Sequence, residues 1–267
     1  MGVVNVTPDS FYAPSRAGST AAAVARALEL VAAGADLIDV GGESTRPGAE
    51  AVGVEVELQR VVPVVAAIRH ASDVALSVDT TRAAVADAAL VAGADMVNDV
   101  STLTRDEAMA EVVARHGAAL VLMHSRGTPR DMQDRAHYDD VVGEVTAELA
   151  AAVRRAEKAG IAGDRIWVDP GIGFAKLAPH SLALLAKLDI LKAKLGKKLL
   201  VGTSRKSFIG KTLGGDDSGE ASERLAGTLA TVALAVWLGA DAVRVHDVVE
   251  AVRAVRIVEA VRRAGLS

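Results

Sequence analysis

A single (β/α)8 barrel is the fold class this sequence predicts, and three observations predict it. Eight short apolar runs recur along 267 residues, and each ends in polar residues. Longer stretches with helical spacing separate the runs. Four runs are introduced by a glycine-bearing helix-to-strand turn, in "GADLI", "GADMV", "GAALV" and "GADAV". Eight strands alternating with helices over about 250 residues make a barrel whose strand ends converge on one face. A doubly wound open sheet is the alternative. It would carry a glycine-rich fingerprint after its first strand, where this chain has "NVTPDSF". Residues 1–267 are read as one domain.

In chain order the runs are "GVVNVT" at 2–7, "ADLIDVGG" at 35–42, "VALSVDT" at 74–80 and "ADMVNDVS" at 94–101. There follow "AALVLMHS" at 118–125, "DRIWVDPG" at 164–171, "KKLLVGTS" at 197–204 and "ADAVRVHD" at 240–247. Runs of four or five apolar residues with β-branched members read as strands buried on both faces. "TAAAVARALELVAAG" reads as a helix with Thr20 as its N-cap and Gly34 closing it. Val248, Val252, Val255 and Val258 repeat at helical spacing near the far end. The stretch 213–223, "LGGDDSGEASE", reads as a loop.

Composition excludes several function classes. The formal net charge is −4, so no basic field invites nucleic acid or an anionic membrane. Aromatic residues make up 3% of the chain, too few for base-stacking platforms. With no cysteine, disulfides, thiolate zinc sites, iron–sulfur clusters and cysteine nucleophiles are all excluded. No apolar run reaches the ~18 residues of a membrane span. No charged leader followed by an apolar stretch opens the chain, so a cytoplasmic protein is expected.

Polar residues gather at one end of the runs: Asn5, Asp39, Asp79, Asn98 with Asp99, His124, Asp169, Arg205 with Lys206, and Arg244 with His246. A solvated rim is one reading. A polar pocket at the carboxyl ends of barrel strands is the other. Asp79, Asn98 and Asp169 suit a flat heterocycle bearing amino and lactam groups. Lys206, Arg244 and His246 suit anionic or carbonyl oxygen. Arg244 and His246 alternate around Val245, so both side chains fall on the same side of their strand. Without clustered His and carboxylate ligands, a protein-held zinc site is not expected.

Eight collinear stretches carry a resemblance: "NVTPDSF", "DVGGESTRPGA", "SVDT", "NDVS", "LMHSRGTPRDMQ", "DPGIGFAK", "GTSRKSFIG" and "RVHD". Together they resemble the dihydropteroate synthase family across essentially the whole chain. The resemblance implies a barrel enzyme of folate biosynthesis. Such an enzyme joins 4-aminobenzoate to dihydropterin-6-ylmethyl diphosphate with Mg2+, giving dihydropteroate and diphosphate. It implies that Asp79, Asn98, Asp169 and Lys206 line the pterin pocket, with Met123 as an apolar wall. Asn5, Arg244 and His246 would hold the diphosphate, Asn5 also touching magnesium, and Thr45 would reach a phosphate oxygen. Arg46, Pro47, Phe174 and Ser207 would shape the aminobenzoate site, and Asp9 with Phe11 would belong to a closing loop. Arg205 would pair outward and support the loops. A homodimer is expected by analogy with the family.

The implied chemistry breaks the C–O bond first and leaves a pterin-methyl cation. Asp79 and Asp169 would stabilise the cation, and Arg244, His246 and Mg2+ the leaving group. One departure stands out: after "DSF" the chain runs "YAPSRAGS", where the family often has Ser-Asp-Gly-Gly. Two other classes stay open. A pterin-dependent methyltransferase barrel would share the ring pocket without the diphosphate cradle. A non-catalytic pterin-binding paralogue would bind without turnover. His124 is open between substrate contact and a structural role beneath the pocket. Glu43 and Ser44 are read as shaping their loop.

Overall fold

The computed structural model describes residues 1–6, 16–44, 49, 52–214 and 224–265. All eight apolar runs form strands: β1 Gly2–Asn5, β2 Leu37–Gly41, β3 Ala75–Asp79, β4 Met96–Asp99, β5 Ala119–Met123, β6 Ile166–Asp169, β7 Lys198–Val201 and β8 Ala242–Val243. They pair in chain order, and every pair is parallel. Gly2 bridges Val245, and the Met1 ammonium donates to the Val243 carbonyl at 2.9 Å. The last strand is thereby tied to the first, which closes the barrel and rules out the open sheet.

Between the strands lie α1 Arg16–Ala32, α2 Val54–Ala71, α3 Ala83–Val91, α4 Met109–His116 and α5 Val141–Lys158. The connection after β6 carries α6 Ala178–Leu185 and α7 Leu188–Leu195. The connection after β7 carries α8 Ser207–Thr212 and α9 Leu225–Trp237, and α10 Val248–Gly265 follows β8. One expectation is corrected. Thr20 does not cap α1, which begins a turn earlier at Arg16. Arg16 and Ala17 are good helix formers, and the helix runs from them through Gly18, a poor one, into the alanine run. The helix-to-strand turns are as expected: Gly34, Gly93, Gly117 and Gly239 have φ of 99, 111, 60 and 94°, a region other residues rarely visit.

Strand alternation produces two apolar layers. Ile38, Val40, Leu76, Val78, Val97, Leu120, Leu122, Val168, Leu199, Val201, Val243 and Val245 point outward and pack under the helices. The opposite set plugs the barrel's interior: Met96, Val121 and Leu200 are buried together, with Met1, Leu37, Ala119, Trp167 and Ala242 against them. One residue further along the inward-facing rows the apolar plug gives way to Asp39, Ser77, Asp79, Asn98 and Asp169, all buried. The plug is therefore the floor of a polar mouth. On α10 the helical repeat meets the core through Val248, Val252, Val255 and Val258. Among the described residues no helix is long and apolar enough to cross a membrane.

Candidate active site at the carboxyl ends of the strands

Strand register sets the first row of the site. Asn5 lies beside Gly41, Gly41 beside Asp79, and Asp79 beside Asn98. Because neighbours in register project to the same side, Asn5, Asp79 and Asn98 stand together around the mouth. Met123 lies beside Asp169 on the opposite arc and is buried.

Arg244 crosses the mouth from β8. Its Nε donates to Asp39 Oδ2 at 2.7 Å and its Nη2 to Asp79 Oδ2 at 3.0 Å. Asn98 Nδ2 donates to the same Asp39 oxygen at 3.1 Å. The side chain thus faces the interior, as the alternation around Val245 requires, and not the surrounding helices. The sequence marks Asp39 only as a polar strand end, and its pairing with Arg244 is a finding of the structure. Asp39 Oδ1 and Asp79 Oδ1 are buried and unpartnered. Buried acceptors of this kind are rare and suit a ligand's N–H donors.

Burial pushes the Asp79 carboxyl up to about 7, against the pull of Arg244 and with a push from Asp39. Between its ordinary value and about 7 the folded chain binds more protons than the unfolded chain. This group alone therefore lowers stability as pH rises through that window. Asp79→Asn removes this titration but leaves Arg244 one charged partner short, so its Tm relative to the parent chain is expected to be more favourable at pH 8 than at pH 5, while pterin binding drops. Thermal melts at both pH values check this, and an equal shift at both would remove Asp79 as the cause.

The opposite arc is built from two turns. After β6, Asp169 Oδ1 accepts the Gly171 N–H at 2.7 Å. Gly171 has φ +66°, and a Cβ there would sit 1.8 Å from the His124 carbonyl oxygen. Only glycine fits this turn, which displays Phe174. After β7, Arg205 takes a left-handed φ of 57° and swings outward, where its Nε and Nη2 reach Asp247 at 2.9 and 2.5 Å. Lys206 then turns inward. Its Nζ donates to the Ile172 carbonyl and stands 4.6 Å from the centre of the Phe174 ring. Burial holds Lys206 down at about 8, opposed by Asp169, while burial raises Asp169 itself, opposed by Lys206. Arg205 and Lys206 therefore do different work: one ties the loop outside and one enters the site.

Ser207 is exposed at the start of α8. His246 Nδ1 lies 3.0 Å from Ser204 Oγ, and its backbone N–H donates to the same oxygen at 3.2 Å. A cleft open to solvent runs from Glu43, Glu57 and Asp79 across to Phe174. Arg82 borders it from behind: it pairs with Glu43 and Glu57 and donates to the Val52 carbonyl at 2.6 Å. Glu43 thus serves its loop, as expected. Asp9, Phe11, Thr45, Arg46 and Pro47 lie outside the described residues.

His124 turns away from the mouth. It is buried, with Nε2 2.9 Å from Glu148 Oε2 and Nδ1 2.8 Å from Lys176 Nζ. Burial holds its imidazole down at about 4, so it is neutral. Of the two readings open for His124, the geometry selects the structural one. Lys176 lies at the end of "DPGIGFAK", and the sequence does not set it apart. A lysine one residue past an apolar turn reads as solvated, and nothing in the local pattern signals its burial.

Among the described residues no three His, Asp or Glu side chains converge as a metal cage. Asn5 offers one amide oxygen in the mouth's first row. One amide oxygen with room for water is a donor set that Mg2+ accepts.

The family described as "Pterin binding enzyme" matches residues 1–246. Dihydropteroate synthase of Synechocystis is 48% identical over 93% of this chain and 84% of its own. The chain belongs to the dihydropteroate synthase family of pterin-binding enzymes. Solved structures of the family superpose closely. Yersinia pestis dihydropteroate synthase with a sulfonamide drug has a TM-score of 0.90 at 42% identity, covering 98% of this chain and 94% of its own. Xanthomonas albilineans dihydropteroate synthase with 4-aminobenzoic acid has a TM-score of 0.89 at 45% identity, covering 98% and 92%. Family membership accounts for a mouth in which carboxylates and cations share one rim.

Proposed function

We propose that this chain condenses dihydropterin-6-ylmethyl diphosphate with 4-aminobenzoate, giving 7,8-dihydropteroate and diphosphate. The observation that carries the reading is the ring of buried acceptors, Asp79, Asn98 and Asp169, facing Lys206 and Arg244 across one mouth. In this reading the acceptors hold the pterin's amino and lactam N–H groups, and Lys206 donates to its polar edge. The methylene C–O bond breaks, and its electron pair leaves with the diphosphate. Asp79 and Asp169 stabilise the positive charge left on the pterin-methyl group, while Arg244 and His246 stabilise the departing anion. The aminobenzoate nitrogen then forms the C–N bond and gives up a proton to the released diphosphate or to water. That amine is a weak nucleophile, so making the carbon electrophilic matters more than a general base. Bound at Asn5 and the phosphates, Mg2+ would supply further charge neutralisation to the leaving group. Phe174 and Ser207, with Thr45, Arg46 and Pro47, would shape the aminobenzoate site. Sulfonamides would compete there, as the drug complex of the Yersinia pestis relative suggests.

A methyltransferase barrel and a non-catalytic paralogue are the rival readings. A cation at position 244 joined to the pterin carboxylates favours diphosphate chemistry over the first. The presence of Asp79, Asn98, Asp169, Lys206 and Arg244 around one mouth favours turnover over the second. Diphosphate release from the pterin substrate, measured with and without aminobenzoate and Mg2+, tests all three. Release that depends on aminobenzoate is expected, and binding without release would overturn the proposal. By calorimetry, aminobenzoate should bind well only after diphosphate and Mg2+ are in place. Tight binding to the bare protein would overturn that order. A homodimer through the last helices completes the reading: Trp237 on α9 and Ile257 and Val261 on α10 are exposed. Sedimentation of the purified chain reports it.

A further inference from the structure

Lys176 lies on the far side of the turn that displays Phe174 and is 3% exposed. Its Nζ is 2.9 Å from the Phe174 carbonyl, 2.8 Å from His124 Nδ1 and 3.4 Å from the His124 carbonyl. Three acceptors surround the nitrogen, and an ammonium has three N–H groups to give. His124 Nδ1 must then accept, so Nε2 carries the ring proton and donates to Glu148. Arg126 holds Glu148 in turn, bonds Glu144 at 2.7 Å, and lies 4.1 Å from the centre of the Tyr138 ring. Tyr138 closes the circuit by donating its hydroxyl to the Ala175 carbonyl at 3.0 Å. Two successive carbonyls of one turn, at Phe174 and Ala175, are thus gripped from behind. The grip comes from β5, from α5 and from the segment between them.

A buried ammonium costs desolvation energy, which its bonds must offset. Burial holds Lys176 down at about 7, with Asp169 and Glu148 opposing and Lys206 and Arg126 adding to the depression. Ala175 itself takes a left-handed φ of 49°, an unfavourable conformation for alanine that the two tethers maintain. On the other side of the turn, the Phe174 ring faces the cleft and Lys206.

We propose that Lys176 is a positioning residue for the aminobenzoate site: through the Phe174 carbonyl it fixes where the Phe174 ring stands, braced by His124 and Glu148. The inference rests on the proposed function for the identity of the substrate, and on geometry alone for the tether. Lys176→Met removes the three bonds at similar length. It is expected to raise the KM for aminobenzoate about tenfold or more, as loss of a charge-assisted bond implies. Affinity for the pterin diphosphate should change less than about threefold on the same scale.

A double-mutant cycle with Phe174→Ala separates positioning from general weakening. If Lys176 acts through Phe174, Lys176→Met adds little to the KM of the Phe174→Ala protein. Independent multiplication of the two effects, equal losses for both substrates, or an unchanged aminobenzoate KM overturns the proposal. Should Lys176→Met fail to fold, Tyr138→Phe removes the second tether and keeps the ring. It should move the aminobenzoate KM the same way by a smaller factor, and no movement there overturns the inference as well. Amide hydrogen exchange over residues 171–176 reads the tether with no substrate present. Faster exchange confined to that stretch in a folded variant is expected, and unchanged exchange overturns the tether even if the activity proves to be another.

Discussion

Replacing Arg244 by methionine is expected to abolish measurable turnover and to lower Tm, because this guanidinium has two tasks. Toward the ligand it would meet the diphosphate with Asn5 and His246. A charge-assisted hydrogen bond is worth about 1.5–3 kcal/mol, so ten- to a hundredfold in diphosphate affinity is at stake. Toward the protein it neutralises Asp39 and Asp79, at 2.7 and 3.0 Å. Removing one partner of a buried ion pair costs roughly 3–5 kcal/mol, because the remaining charges are left unpaired. Arg244 also restrains the upward shift of Asp79. Without it Asp79 holds its proton to higher pH, and a protonated carboxyl is a poorer acceptor for the pterin's N–H groups. Pterin affinity therefore falls too, though less than diphosphate affinity. Arg244→Lys keeps a charge but not the two-pronged geometry, and should recover stability before it recovers activity. Diphosphate and a phosphate-free pterin can be titrated in parallel against each variant. Equal losses for the two ligands would show that the anion site lies elsewhere.

The barrel was legible because its signals are local and repeated. "GADLI" and its three relatives encode a glycine that ends a helix and an apolar run that must then be buried. β-branched runs without alternation encode strands covered on both faces. The mouth was legible for a related reason: parallel strands that begin in an apolar plug must all surface at the same end, so Asn5, Asp79, Asn98, Asp169 and Arg244 had to converge. What stayed hidden depends on pairing across the barrel. Arg244 and Asp39 are 205 positions apart and meet only because β8 closes on β1 and β2. The grip of Lys176 on His124 spans 52 positions and depends on which face of the β6 turn is covered. Thr20 before an alanine run resembles a cap, and Gly18 just upstream, a poor helix former, hides the turn that starts at Arg16. Arg205 and Lys206 were separable in the sequence only as a choice between outward and inward. The left-handed turn at Arg205 makes that choice.

Asp169→Asn is expected to leave the fold intact and remove most pterin affinity. The first half follows from the oxygen that faces the protein. Oδ1 accepts the Gly171 N–H at 2.7 Å, and an asparagine amide oxygen can do the same. Burial already disfavours the charged carboxylate here, with Lys206 the chief opposing influence. A neutral amide is thus not penalised by its surroundings. The second half follows from the other oxygen, which shares the pocket with Lys206. Asp169 Oδ2 and Lys206 Nζ both lie within about 4 Å of the same point beside Gly202. An amide NH2 at that place presents a donor to an ammonium and to the ring's own N–H groups, where the carboxylate presented an acceptor to both. A buried mismatch of this kind costs on the order of 1–3 kcal/mol, which is about five- to 150-fold in affinity. Turnover should fall further than binding, because Asp169 would also face the positive charge that develops when the C–O bond breaks. Calorimetric titration with a pterin lacking phosphate, beside a thermal melt, separates the two halves. Unchanged pterin affinity in a variant that melts normally would take Asp169 out of the pocket and leave the β6 turn with a structural role alone.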